Sequence, residues 1–109
     1  MEIAIRNFPY LWSMSELSSI KQILTQLKPE LTQKYFVNSI GLFGSIVRDD
    51  FTDKSDVDII VDFSKPIGIE FIDLADYIES KLSKKVDLVS RTGIKPKYFQ
   101  QIQSEIIYV

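Results

Sequence analysis

At 109 residues, with 45% hydrophobic and 12% aromatic side chains, the chain can build one domain with a modest core and hardly two. Its net charge of −2 and pI near 5.1 supply no global basic field for nucleic acid. Cysteine and histidine are both absent, which excludes disulfides, thiolate or imidazole metal sites, and Ser-His-Asp or Cys-His catalysis. Any chemistry must run on carboxylates, hydroxyls, Lys and Arg, and carboxylates alone prefer hard cations such as Mg²⁺ or Mn²⁺.

The stretch MEIAIRNFPYLW carries Glu2 and Arg6 inside its apolar run, without a basic leader, and reads as neither signal peptide nor membrane span. No apolar run nears the roughly 20 residues that a spanning helix needs, so a soluble cytoplasmic protein is expected. A first helix is predicted from Ser13 or Ser15, with Ser13 and Glu16 forming a capping box. Leu17, Ile20, Leu24 and Leu27 recur along it at helical spacing, widened by Ile23. Lys28-Pro29 predicts a break, with Pro29 opening a short second helix through Tyr35.

The β-rich YFVNSIGLF (residues 35–43) predicts a strand ending at Gly44, followed by a short helical turn and the loop TDKSD. VDIIVDF (residues 57–63) is a second strand, with Asp58, Ile60 and Asp62 on one face and Val57, Ile59, Val61 and Phe63 on the other. Residues 68–83 carry Phe71, Leu74, Ala75, Ile78 and Leu82 at helical spacing. KKVDLVS (residues 84–90) is a third strand, and a last helix from Pro96 presents Phe99, Ile102 and Ile106 on one face. The expected fold class is α/β (α+β): a small mixed sheet with flanking helices, formed by residues 1–109 as a single domain.

Six of the nine aspartates, Asp49, Asp50, Asp53, Asp56, Asp58 and Asp62, fall within fourteen residues. Like charges this crowded repel unless solvated or bridged by a cation. Asp49, Asp50 and Asp53 suit a solvated turn, and Asp62 a strand end. Asp56 and Asp58 differ: at i and i+2 where a strand begins they point to one side, while Val57 points into the core and fixes the register. Two carboxylates held so raise each other's pKa unless a cation sits between them. No EF-hand frame fits, since a loop starting at Asp56 puts Val61 at the glycine position and Ile67 at the bidentate glutamate position.

Gly44-Ser45 joins the end of a strand to a short helix, where backbone N–H groups suit a phosphate and Ser45 adds a hydroxyl. The second glycine and lysine of a Walker A loop are missing. Arg48, one turn on, is placed either to reach a phosphate or to be solvated, and Ser55 either to cap or to bind phosphate. Asp87, between Val86 and Leu88, is either an outward-facing strand residue or, if its strand lies beside the second, a third carboxylate at the site. Three carboxylates there could hold two metals about 3.5–4 Å apart for an in-line phosphoryl attack.

Gly44-Ser45, ten intervening residues, Asp56-Val57-Asp58 and the later strand aspartate Asp87 together resemble the DNA polymerase beta-like nucleotidyltransferase superfamily. The short chain is most similar to its minimal nucleotidyltransferases, which serve as antitoxins paired with HEPN-domain toxins. The resemblance implies a palm-like fold, with ATP held through its triphosphate by Gly44 and Ser45. Asp56, Asp58 and Asp87 would ligate two Mg²⁺ ions, and Asp87 would also help deprotonate the attacking hydroxyl. The implied reaction transfers AMP to a tyrosine of a partner HEPN ribonuclease, without direct contact to nucleic acid or membrane. The basic stretch from Lys81 to Lys97 and the apolar tail from Ile106 to Val109 are candidate partner contacts. The alternatives are a non-catalytic antitoxin that neutralises its partner by binding alone, and a small-molecule transferase working with a separate subunit. Two crowded carboxylates plus a third, beside Gly-Ser, have a chemical reason to persist only in the enzyme.

Overall fold

The computed structural model describes residues 9–48 and 50–109, with side chains from residue 16 onward. Asp49 therefore lies outside the described residues. Helix α1 runs unbroken through Pro9–Tyr35, with Pro29 inside it. The expected start at Ser13 or Ser15 and the break at Pro29 are both corrected: those serines lie within the helix and the apolar stripe continues past the proline. Ile20, Leu24 and Leu31 are buried along that stripe, so Leu24 and Leu31, two turns apart, flank the proline in one core. An interior proline costs about 3 kcal/mol, and each buried leucine contributes about 1.5–3 kcal/mol. Pro29 itself is exposed, so water can serve the carbonyl it leaves unpaired.

Phe36 ends the helix in the left-handed region at φ 58°, which delays β1 to Val37–Phe43 where the sequence predicts a strand from Tyr35. Its carbonyl accepts the Ser64 N–H at 2.8 Å, and Lys65 Nζ lies 3.7 Å from its ring centroid. These contacts tie the start of β1 to the end of β2 and offset the strain of a non-glycine residue at positive φ.

After a 3₁₀ turn at Gly44–Ile46 come β2 (Val57–Phe63), α2 (Glu70–Leu82) and β3 (Val86–Ser90). Helix α3 (Pro96–Ile102), a 3₁₀ turn (Gln103–Glu105) and β4 (Ile107–Tyr108) follow. The strands lie in the order β3-β2-β1-β4. Strands β2 and β3 are parallel, joined by the α2 crossover, and β1 is antiparallel to both β2 and β4. The mixed sheet agrees with the expected fold class.

Alternation along β2 divides the interior. Val57, Ile59 and Val61 pack with Leu24 and Leu31 of α1 and Leu74, Ile78 and Leu82 of α2. Ile60, on the other face, joins Phe43 and Ile102 in a smaller cluster that Val89, Phe99 and Ile106 flank. The expected last helix is shorter than its apolar spacing implies. Ile106 meets Phe99 and Ile102 in that cluster, but from the approach to β4 rather than from the same helix. Gly41 permits the fourth strand, because a Cβ there would sit 2.6 Å from Ile106 Cγ2. The tail offered as a partner contact is thus a sheet edge, held by Val109 N–H to Ile40 O at 3.0 Å and Lys28 Nζ to Val109 O at 2.7 Å.

Candidate active site

The parallel register places Asp58 of β2 directly beside Asp87 of β3, and the antiparallel register places Phe43, the last residue of β1, on its other side. Each strand contributes one residue because Val57 and Ile59 lock β2 into the core and leave Asp58 on the opposite face. Gly44 closes the third side. It is buried at φ 77°, and a Cβ there would overlap the Asp58 carboxylate. The glycine thus meets two demands at once: a left-handed backbone and room for a carboxylate.

Burial, then the charges of Asp87 and Asp56, push the Asp58 carboxyl up to about 6, against the opposing pull of Arg48. Asp58 is half-buried, whereas Asp56 and Asp87 are exposed. Among the described residues, no three acidic side chains stand close enough together to hold a metal ion as they are placed. The donor set is nonetheless all carboxylate oxygen, suited to a hard divalent cation, and the burial and crowding that raise the Asp58 pKa are what a bound cation would offset.

The other expected residues divide. Ser45 follows Gly44 in the 3₁₀ turn and is half-buried. Arg48 donates to both oxygens of Glu105 through Nη1 at 3.5 Å and pairs with Asp50 through Nε at 3.5 Å. Ser55 serves its own loop: its Oγ accepts the Thr52 N–H at 3.0 Å, and its N–H donates to Thr52 O at 3.0 Å. Asp62 lies at the far end of β2, where Asn38 Nδ2 donates to it at 3.4 Å. A hollow of about 660 Å³ adjoins Asp56, walled in part by Lys54, Lys84 and Lys85. A second hollow, of about 640 Å³, lies at the Phe63 end of the strands, away from the carboxylate pair.

Two residues at this site escape the sequence reading. Glu105 reaches back across 61 positions to accept the Gly44 N–H at 3.1 Å. Tyr98 of α3 stands edge-on to Phe43 with ring centroids 6.3 Å apart, and burial followed by the charges of Asp58, Asp87 and Glu105 raises its phenol pKa. Glu105 was within reach only through the pairing of β4 with β1, and IIYV is too short to announce a strand. Tyr98 carries no signal beyond its place beside Phe99 on a helix.

Comparison with known proteins gives consistent results. A family model described as a nucleotidyltransferase domain matches residues 18–109. Protein adenylyltransferase MntA of Thermococcus cleftensis is 41% identical over 98 residues, which cover 89% of this chain and 99% of the relative. The Methanocaldococcus jannaschii protein MJ0128 is 44% identical over 98 residues, 88% of this chain and 100% of its own length, and is provisionally named a protein adenylyltransferase. A solved structure provisionally described as a minimal nucleotidyltransferase shares the fold at TM-score 0.68 and 24% identity, covering 87% of this chain and 93% of its own. So does a chain from a mutant of the toxin–antitoxin complex MntA-HpeT, at TM-score 0.60 and 22% identity, covering 84% of this chain and 70% of its own.

Proposed function

The chain belongs to the nucleotidyltransferase-domain family, and from that premise we propose that it is a Mg²⁺-dependent enzyme transferring AMP from ATP to a tyrosine of a partner HEPN-domain ribonuclease toxin. The family uses a nucleoside triphosphate and a divalent metal, and the matched relatives carry the name protein adenylyltransferase. One observation carries the reading: Asp58 and Asp87, 29 positions apart, are direct neighbours in the β2–β3 ladder, with the Gly44 backbone against Asp58.

Asp56, Asp58 and Asp87 would hold two Mg²⁺ ions, which supply charge neutralisation at the α-phosphate and at the leaving oxygens. The backbone at Gly44 and the Ser45 hydroxyl receive the triphosphate, and Arg48 adds a positive charge beside it. Asp87, exposed at the edge strand, takes the proton of the attacking hydroxyl. The acceptor oxygen then bonds to the α-phosphorus, the bond from that phosphorus to the β-phosphate oxygen breaks, and pyrophosphate leaves. Ser55 is assigned to shaping the loop before Asp56 rather than to phosphate, because its hydroxyl is engaged with Thr52.

The partner is proposed from the MntA-HpeT neighbour, which is a toxin–antitoxin complex. No helix among the described residues is long and apolar enough to cross a membrane; the reaction is proposed to take place in the cytoplasm, on a protein, by a single-domain enzyme. The test is incubation with Mg²⁺, ATP labelled on its α-phosphate, and lysate of the native host, with Asp56→Asn/Asp58→Asn as control. A labelled protein band that disappears with the double variant is the expected result. A partner captured equally by both proteins without label would make this a binding antitoxin.

A further inference from the structure

Gly44 N–H and Arg48 are two of the three anion-binding groups assigned above to the triphosphate, and one carboxylate already engages both. Glu105 Oε1 accepts the Gly44 N–H at 3.1 Å, and both its oxygens stand 3.5 Å from Arg48 Nη1. Among the described residues the only other arginine is Arg91, which lies over the Phe99 ring at 3.6 Å. Glu105 is not a drifting surface side chain, because it is half-buried and ends the 3₁₀ turn between α3 and β4. Beyond it the chain is fastened by Leu42↔Ile107 and Gly41↔Tyr108 pairing with β1.

We infer that Glu105 is a built-in competitor of the nucleotide: it fills the phosphate position of the empty enzyme, and ATP must expel it to bind. This rests on the nucleotide reading of Gly44 and Arg48. A carboxylate offers planar oxygens and one negative charge to the donors that would take a phosphate oxygen. Gly44 is buried, so without Glu105 its N–H would be a donor left without a partner in the empty protein. Glu105 therefore acts in two opposed ways. It stabilises the nucleotide-free fold, and it weakens ATP binding both by occupying the position and by repelling the incoming phosphates. With β4 fastened to β1, displacement is confined to the Glu105 side chain and its turn.

The test measures calorimetric affinity for the α,β-methylene analogue of ATP with Mg²⁺, alongside nucleotide-free melting temperature. It compares the wild type with Glu105→Ala, Glu105→Gln and Arg48→Ala. Glu105→Ala is expected to bind about tenfold more tightly while melting at a lower temperature, the affinity gain corresponding to one charge-assisted hydrogen bond. Glu105→Gln keeps an acceptor for Gly44 without the charge, so it should retain stability and gain a smaller part of the affinity. If Arg48→Ala weakens binding while neither Glu105 variant tightens it, Glu105 merely positions Arg48 and the inference falls alone. If neither the wild type nor Glu105→Ala binds the analogue, the nucleotide reading falls with it.

Discussion

The two ends of β2 carry the same residue type on the same face, yet only one has the surroundings of a candidate site. Asp58 stands between Gly44 on one side and Asp87 on the other, half-buried, and its carboxyl is pushed up to about 6. Asp62, four residues along, is likewise half-buried, and the Asn38 amide donates to it at 3.4 Å. The glycines compare in the same way. Gly44 holds a left-handed backbone against a carboxylate, whereas the nearest atom to a Cβ on Gly68, in the loop after β2, would be Glu70 Oε2 at 3.9 Å. What distinguishes the ends is the neighbouring strand, not the strand itself.

The contrast breaks most readily at the glycines. Gly44→Ala should cost about 2–3 kcal/mol by chemical denaturation, from positive φ and from collision with Asp58. Gly68→Ala should stay within about 0.5 kcal/mol. Equal losses for both would mean that the Gly44–Asp58 approach is unimportant.

Asp58 gives a smaller effect with a definite sign. Its folded-state pKa of about 6 lies above the ordinary 3.8, so folding favours the protonated form. That contribution is full below about pH 4 and is lost as pH rises through about 6. Asp58→Asn should therefore melt higher than the wild type at pH 7.5 in EDTA. The gain is about 1–2 kcal/mol after discounting for solvent screening, and it should shrink toward pH 4. Millimolar Mg²⁺ should stabilise the wild type and erase that advantage. A wild type indifferent to Mg²⁺ would argue against a metal on these carboxylates.

The smallest effect belongs to the other end: Asn38→Ala removes one exposed hydrogen bond and should change stability by no more than about 0.5 kcal/mol. A larger loss would give the Asp62 end a structural role that its contacts do not show.

The legible parts of this chain were those whose signal is local. The bounds of β2, the buried stripe of α2 and the outward side of Asp58 all follow from alternation or helical spacing within a dozen residues. Placing Asp87 needed one further supposition, that its strand lies beside β2, and the parallel pairing supplies it. Pro29 was misread because a local breaker signal competes with the burial of Leu24 and Leu31, which is a tertiary effect. The fourth strand and Glu105 were invisible because β4 has only two residues and finds β1 more than sixty positions away. The pairing of Asp58 with Asp87 was thus within reach of the chain's local pattern, while the contact of Glu105 with the Gly44 N–H was not.

The measurement that tests the central claim most directly is Mg²⁺-dependent transfer of α-labelled AMP to the purified partner, with Asp58→Asn and Asp62→Asn side by side. The account predicts that Asp58→Asn loses at least about 100-fold in rate, while Asp62→Asn transfers at nearly the wild-type rate. Equal activity in the two variants would contradict it and remove the reacting centre from the Gly44 end of the sheet.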